Sequence, residues 1–337
     1  MAALVQRAPT HHLVAISETG TEFHSYLSPT GATAAEVDAG NVGFSTNAFN
    51  LKNLGANLWG VPVNSPGTWL QSDSRRVGEA VKGPVLITPG GAMTLIVVAG
   101  QSNASGRGTA GATAPTNASR LWLFDDQQNW VQLSEPADAE SAQQIDIAFN
   151  EGVAVGNSFA TSLADTIAGG IAGNVGVLMA AKGATSTTDW QRGTHPVGRG
   201  TLYGGLLGKV RHALRYPGVT LGAIVWSQGP RDATEVTPTW DTNMDTFIAD
   251  LRADLSLPNL PIIYEHIPPT VATPTASYPS WATVRTQQAG WAQATVPKRV
   301  MVDPPDGPFE LDGASVHFTT PTAETFGASL GAAYLAL

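Results

Sequence analysis

The chain has 337 residues, of which 42% are hydrophobic and only 13% charged, with a formal net charge of -9 and no cysteine. This is enough apolar material for a substantial core, and it is unlike a disordered chain, which combines low hydrophobicity with high net charge. The negative charge argues against a nucleic-acid partner, and the missing cysteines exclude disulfides, thiolate metal sites and thiol nucleophiles.

Residues 1–88 are rich in Gly, Ser, Thr, Asn and Pro, with short apolar pieces such as Leu13–Ile16 and Leu58–Val63. No long stretch carries helical periodicity, so a small β-rich or irregular N-terminal module is expected, suited to attachment or to packing as an extension. Met1–Gly20 lacks the basic-then-apolar pattern of a signal peptide. No apolar run approaches the roughly 20 residues of a membrane span. The expectation is a soluble protein with no membrane partner; a virion-associated or extracellular location stays open.

From residue 89 the pattern changes. Thr94–Ala99, Val175–Ala180, Ala223–Trp226 and Pro261–Ile267 are short apolar runs that predict buried strands. Between and after them, Asn157–Ala168, Leu202–Leu214, Met244–Leu255 and Thr322–Leu335 show helical spacing. This alternation predicts an α/β domain over 89–337, a parallel sheet with helices on both faces. In such sheets ligands bind beyond the carboxyl ends of the strands. Polar segments do come after the runs. Ser102 lies three residues past the first, Lys182–Trp190 come after the second, Gln228 and Gly229 after the third, and His266 ends the fourth. Asp312 and His317 precede the last helix. A serine hydroxyl needs a base to become nucleophilic, and backbone N–H groups at a turn can stabilise an oxyanion.

Five segments, in order, resemble the SGNH-type hydrolases, in the carbohydrate esterase and sialate O-acetylesterase branch. They are Gly100-Gln101-Ser102-Asn103 after a strand, Val155-Gly156-Asn157 before a helix, and Lys182-Gly183-Ala184-Thr185 running to Trp190. The fourth is Trp226-Ser227-Gln228-Gly229-Pro230-Arg231-Asp232, and the fifth is Asp312 with Val316-His317-Phe318. The resemblance implies a flavodoxin-like three-layer fold and a serine esterase that removes O-acetyl groups from a carbohydrate. Ser102 would be the nucleophile, His317 the general base and Asp312 its orienting partner. The Ser102 N–H, the Gly156 N–H and the Gln228 amide would form the oxyanion hole. Gln101, Asn103, Thr185 and Trp190, in the same segments, are the expected substrate-binding residues; the Trp190 ring either stacks on a sugar or belongs to the core. No metal or organic cofactor is implied.

Two departures from the family pattern stand out. Pro230 replaces a glutamate, and Ala314 occupies the place of the usual aspartate three residues before the histidine. Glu310, Asp306 or Asp303 could take the role of Asp312, or a Ser–His dyad could act alone.

Other motifs read as structural. Gly106–Gly111 matches a dinucleotide fingerprint, yet Gly106 lies well past the strand and Pro115 breaks the short stretch after the glycines. Gly327-Ala328-Ser329-Leu330-Gly331 resembles a nucleophile elbow but falls inside a predicted helix with no histidine after it. It is expected to be a small-residue packing face. His11, His12 and His24 could form a metal cluster but lack supporting carboxylates, His195 is a loop residue, and His212 sits in a helix. His266 rivals His317 as the base but has no evident aspartate partner. A second functional reading makes the chain a carbohydrate-binding or structural module, for example of a phage tail or virion, that forms a homo-oligomer or larger assembly through residues 1–88.

Overall fold

Five short strands lie in the N-terminal unit, Met1–Ile87: Ala3–Val5 (β1), His11–Ile16 (β2), Phe23–Ser28 (β3), Lys52–Gly55 (β4) and Leu58–Gly60 (β5). They pair antiparallel in the order β3-β2-β1-β5-β4. The computed structural model describes these strands by their backbone, and residues 90–125, 129–138, 155–193, 201–269, 277–310 and 316–337 in full. The side chains of His11, His12 and His24, and the residues His195, Asp312 and Ala314, lie outside the described residues.

The second unit, Thr88–Leu337, is built on a seven-stranded sheet. Its strands are Met93–Gly100 (β6), Leu121–Phe124 (β7), Trp130–Gln132 (β8), Asn174–Ala181 (β9), Val219–Ser227 (β10), Ile262–Glu265 (β11) and Arg299–Val302 (β12). The order is β12-β11-β10-β6-β9-β7-β8, parallel throughout except for β8 at one edge. The helices are Ser102–Ser105 (α1), Ala160–Gly170 (α2), Leu202–Ala213 (α3), Trp240–Leu255 (α4), Trp281–Trp291 (α5) and Thr320–Leu335 (α6).

The continuous apolar runs are explained by burial on both faces. Leu95, Val97 and Ala99 of β6 join Ile224 and Trp226 of β10 in a core under α3, α4 and α5. The alternate residues Ile96, Val98, Ala223 and Val225 join a second core under α2 and α6. Each fully buried aliphatic side chain contributes about 1.5–3 kcal/mol of transfer free energy. On α4 the buried Trp240, Met244, Phe247, Ile248 and Leu251 form one stripe at helical spacing.

The elbow-like motif lies inside α6, as the sequence suggested. Gly327 and Gly331 let α6 approach α2 closely, because a Cβ at either would collide with the Phe159 or Leu163 carbonyl. The dinucleotide-like glycines fall in a loop before β7, with no helix opening on them.

Chain order places the site. From β6 the sheet grows to one side through β7 and β9, then to the other through β10, β11 and β12. The reversal falls between β6 and β10, and the crevice beyond their carboxyl ends is where a ligand of such a sheet binds. Ser102 and Gln228 each lie just past one of these two ends. Among the described residues no helix is long and apolar enough to cross a membrane.

Candidate active site

Strand β6 ends at Gly100, whose φ of +127° is open to glycine and strained for other residues. A Cβ there would collide with the Ser227 carbonyl, so glycine lets the chain leave the sheet against β10. The Gln101 N–H donates to that carbonyl at 2.9 Å, and the Gln101 carbonyl accepts from Ala104 and Ser105 N–H at 2.9 and 3.1 Å. These bonds wind residues 102–105 into α1 directly off the strand. Ser102 is its first residue and only 5% exposed. The N–H groups of Ser102 and Asn103, in the first turn, have no acceptor within the helix.

His317 reaches the serine from just before α6. Its Nε2 lies 2.9 Å from Ser102 Oγ. For the hydroxyl to donate to Nε2, the proton of the neutral ring must sit on Nδ1. The segment around His317 is held on both edges. Phe309 bridges Phe318 antiparallel, and the Glu310 N–H donates to the His317 carbonyl at 2.7 Å. On the other edge Asn103 Nδ2 donates to the Val316 carbonyl and Asn103 Oδ1 accepts from the Phe318 N–H, both at 3.1 Å. Asn103, expected at the substrate, thus spends its amide on the chain that carries the histidine.

Two of the other expected carboxylates are occupied. Glu310 accepts from the Thr109 N–H at 2.8 Å and from its hydroxyl. Asp303 lies 2.6 Å from Nδ1 of His266. The rival histidine therefore does have an aspartate partner, contrary to expectation, but its Nε2 faces the Arg285 carbonyl at 3.2 Å and no hydroxyl.

Two of the three expected oxyanion donors are placed differently from the reading of the sequence. The Gly156 N–H donates to the Gly106 carbonyl at 3.0 Å. Gln228 is fully buried, and its amide hydrogens go to the Thr185 carbonyl and to Asp232, while its oxygen accepts from Trp240 Nε1 at 2.9 Å. Both donors are spent inside the fold. Asp232 also accepts from the Thr187 N–H and hydroxyl, so it ties the loop after β10 to the loop after β9. Burial pushes the Asp232 carboxyl above its usual range, with the Thr187 and Gln228 hydrogen bonds opposing.

Trp190 belongs to the core and offers no platform for a sugar. It is 0% exposed, packs edge-on to Trp226 at 5.0 Å, and donates to the Thr185 hydroxyl at 3.0 Å. The Thr185 hydroxyl in turn donates to the Lys182 carbonyl at 2.7 Å, so this side chain too serves the loop. Gln101 turns Oε1 to the N–H groups of Gly229 and Arg231, each at 3.4 Å, joining the Ser102 turn to the loop that carries Pro230.

Sequence reasoning missed the Asn103 bracket and Glu265. The latter is fully buried at the end of β11, accepts from the Ser227 hydroxyl, and is pushed up to about 7 by burial. An acidic residue ending an apolar run was the only signal for it. Among the described residues no cluster of histidines and carboxylates is arranged to hold a metal.

Residues 92–336 match the family model described as carbohydrate esterase, sialic acid-specific acetylesterase. The chain belongs to this family. As a member of the carbohydrate esterase family it is a carboxylic ester hydrolase, and its family's chemistry is the deacetylation of carbohydrates. A probable carbohydrate esterase of Arabidopsis thaliana is 29% identical over 257 residues, covering 72% of this chain and 90% of the relative. An X-ray structure of an Arabidopsis thaliana protein matches 72% of this chain and 98% of its own, with a TM-score of 0.58 and 24% identity. The crystal structure of NanS matches 74% of this chain and 98% of its own, with a TM-score of 0.55 and 18% identity. These two structures share the fold of the parallel-sheet unit described above.

Proposed function

We propose that this esterase removes O-acetyl groups from a carbohydrate through an acyl-enzyme on Ser102. The observation that carries the reading is the 2.9 Å separation of Ser102 Oγ and His317 Nε2. In the first half-reaction His317 Nε2 takes the hydroxyl proton as Oγ attacks the acetyl carbonyl carbon. The carbonyl oxygen becomes an oxyanion, for which the Ser102 N–H is the backbone donor. Collapse breaks the bond to the sugar oxygen, which leaves with the proton from Nε2. In the second half-reaction water attacks the acetyl-serine and gives its proton to Nε2. Collapse then releases acetic acid and returns the proton to Ser102 Oγ.

Asp312 is the carboxylate we assign to His317. Glu310 and Asp303 are engaged by Thr109 and His266, and in the sequence Asp312 lies between the bridged residues Phe309 and Phe318. Its role would be to fix the tautomer and stabilise the imidazolium formed during the reaction.

The test is a fluorophosphonate probe with mapping of the adduct, alongside turnover of an acetylated sugar. The expected result is one adduct on Ser102 and loss of both labelling and turnover in Ser102→Ala. Turnover that survives this substitution overturns the mechanism. A wild-type protein with neither labelling nor turnover would instead favour a carbohydrate-binding role.

A further inference from the structure

We infer that Asn103 is a positioning residue for the base, joining nucleophile and histidine into one short closed circuit; this rests on the roles proposed above for Ser102 and His317. Asn103 donates to the carbonyl of the residue before His317 and accepts from the N–H of the residue after it, both at 3.1 Å. A strand residue in a parallel ladder bonds its neighbour in the same way, to the C=O on one side of a residue and the N–H on the other. The side-chain amide therefore stands in for a missing strand. With the Glu310 N–H on the opposite edge, the peptides on both sides of His317 are fixed, and with them the direction of its Cα–Cβ bond.

Asn103 is also the covalent neighbour of Ser102. The circuit runs from Ser102 Oγ to the imidazole, along the backbone to 316 and 318, across to the Asn103 amide and back to Ser102 through one peptide bond. None of these links passes through residues 311–315. The nucleophile–base distance is thereby set locally, although the two residues are 215 positions apart.

The geometry dictates the residue type. The task needs one donor and one acceptor on a short planar group. Aspartate keeps the acceptor and loses the donor, alanine loses both, and a hydroxyl cannot reach both peptides. At 6% exposed and with oxygen and nitrogen both engaged, the amide is not arranged to contact substrate.

The experiment compares Asn103→Ala and Asn103→Asp with the wild-type full chain on 4-nitrophenyl acetate, with Ser102→Ala and His317→Ala as references. Asn103→Ala is expected to lower kcat about a hundredfold, the scale of a base displaced by about 1 Å, with KM within about threefold. Fluorophosphonate labelling of Ser102 should slow in parallel, because it needs the same activated hydroxyl. Asn103→Asp, which turns an acceptor toward the Val316 carbonyl where the amide donated, should lower kcat as well, with KM again within about threefold. A loss in kcat with KM held is a readout that a purely structural role would not produce, and it remains available if the alanine variant fails to fold. If Ser102→Ala keeps its turnover, the proposed function fails. If both references are inactive while Asn103→Ala keeps kcat within about threefold, or raises KM with kcat unchanged, the positioning role is overturned. A folded Asn103→Asp variant with the wild-type kcat overturns it as well.

Discussion

His317 and His266 stand near the carboxyl edge of one sheet, and their surroundings differ. His317 presents Nε2 to a hydroxyl at 2.9 Å and is half-buried. His266 is buried, with Nδ1 on Asp303 at 2.6 Å and Nε2 on the Arg285 carbonyl at 3.2 Å. On paper the second has the more complete aspartate–histidine pair. It lacks anything to deprotonate, because its far nitrogen meets a peptide oxygen. The difference teaches that a carboxylate behind a histidine does not make a base. What counts is the group in front of it.

The largest expected effect breaks this comparison directly. Ser102→Ala and His317→Ala should each lower kcat by about 10⁴ or more, with little further loss in the double variant, since members of such a unit act together. His266→Ala should leave kcat within about threefold and lower the thermal midpoint. A collapse of kcat in His266→Ala, with His317→Ala near wild type, would reverse the assignment.

Glu265, next to His266 in the chain, sharpens the same contrast through pH. Its folded pKa is raised from 4.5 to about 7, so the folded state holds its proton more tightly than the unfolded state. The stability linked to that proton is fully present below pH 4.5 and is lost as pH rises through about 7. The loss amounts to about 3 kcal/mol. Glu265→Gln should remove this decline, as urea unfolding at pH 5 and pH 8 would show. Equal declines in variant and wild type would assign it elsewhere. A histidine base makes activity rise with pH, so function and this part of stability should run in opposite directions.

Gln228 supplies a smaller effect. As a buried hub for Thr185, Asp232 and Trp240, its replacement by alanine strands polar groups at a cost of about 1–3 kcal/mol each. An oxyanion donor would show a different signature, a loss of about a hundredfold in kcat with stability unchanged. Paired melting and kinetic measurements on Gln228→Ala separate the two.

The sheet was legible where burial on both faces produced continuous apolar runs, as in Thr94–Ala99 and Val175–Ala180. It was less legible at the margins. Arg299–Val302 is only half-buried and four residues long, and α5 buries Gln288 within a weakly amphipathic sequence. In the site, the approach of His317 to Ser102 could be anticipated from motif order because each stands beside an element boundary. The directions of the amides could not. Whether Asn103 faces a substrate or the peptides around His317 depends on a segment more than two hundred positions away. Gln228 likewise turns inward only because Trp240 arrives on α4 and Thr185 on the loop after β9. Short motifs record residue types, whereas hydrogen-bond partners are chosen by tertiary assembly.

The 215 positions between Ser102 and His317 also have a meaning in time. At a ribosomal pace of about 5–20 residues per second, Ser102 is made roughly 10 to 40 s before His317. During that interval the nascent chain carries an unassisted serine. The contact between them forms only once the segment leading into α6 arrives, so under the proposed mechanism reactivity waits for the last part of the chain.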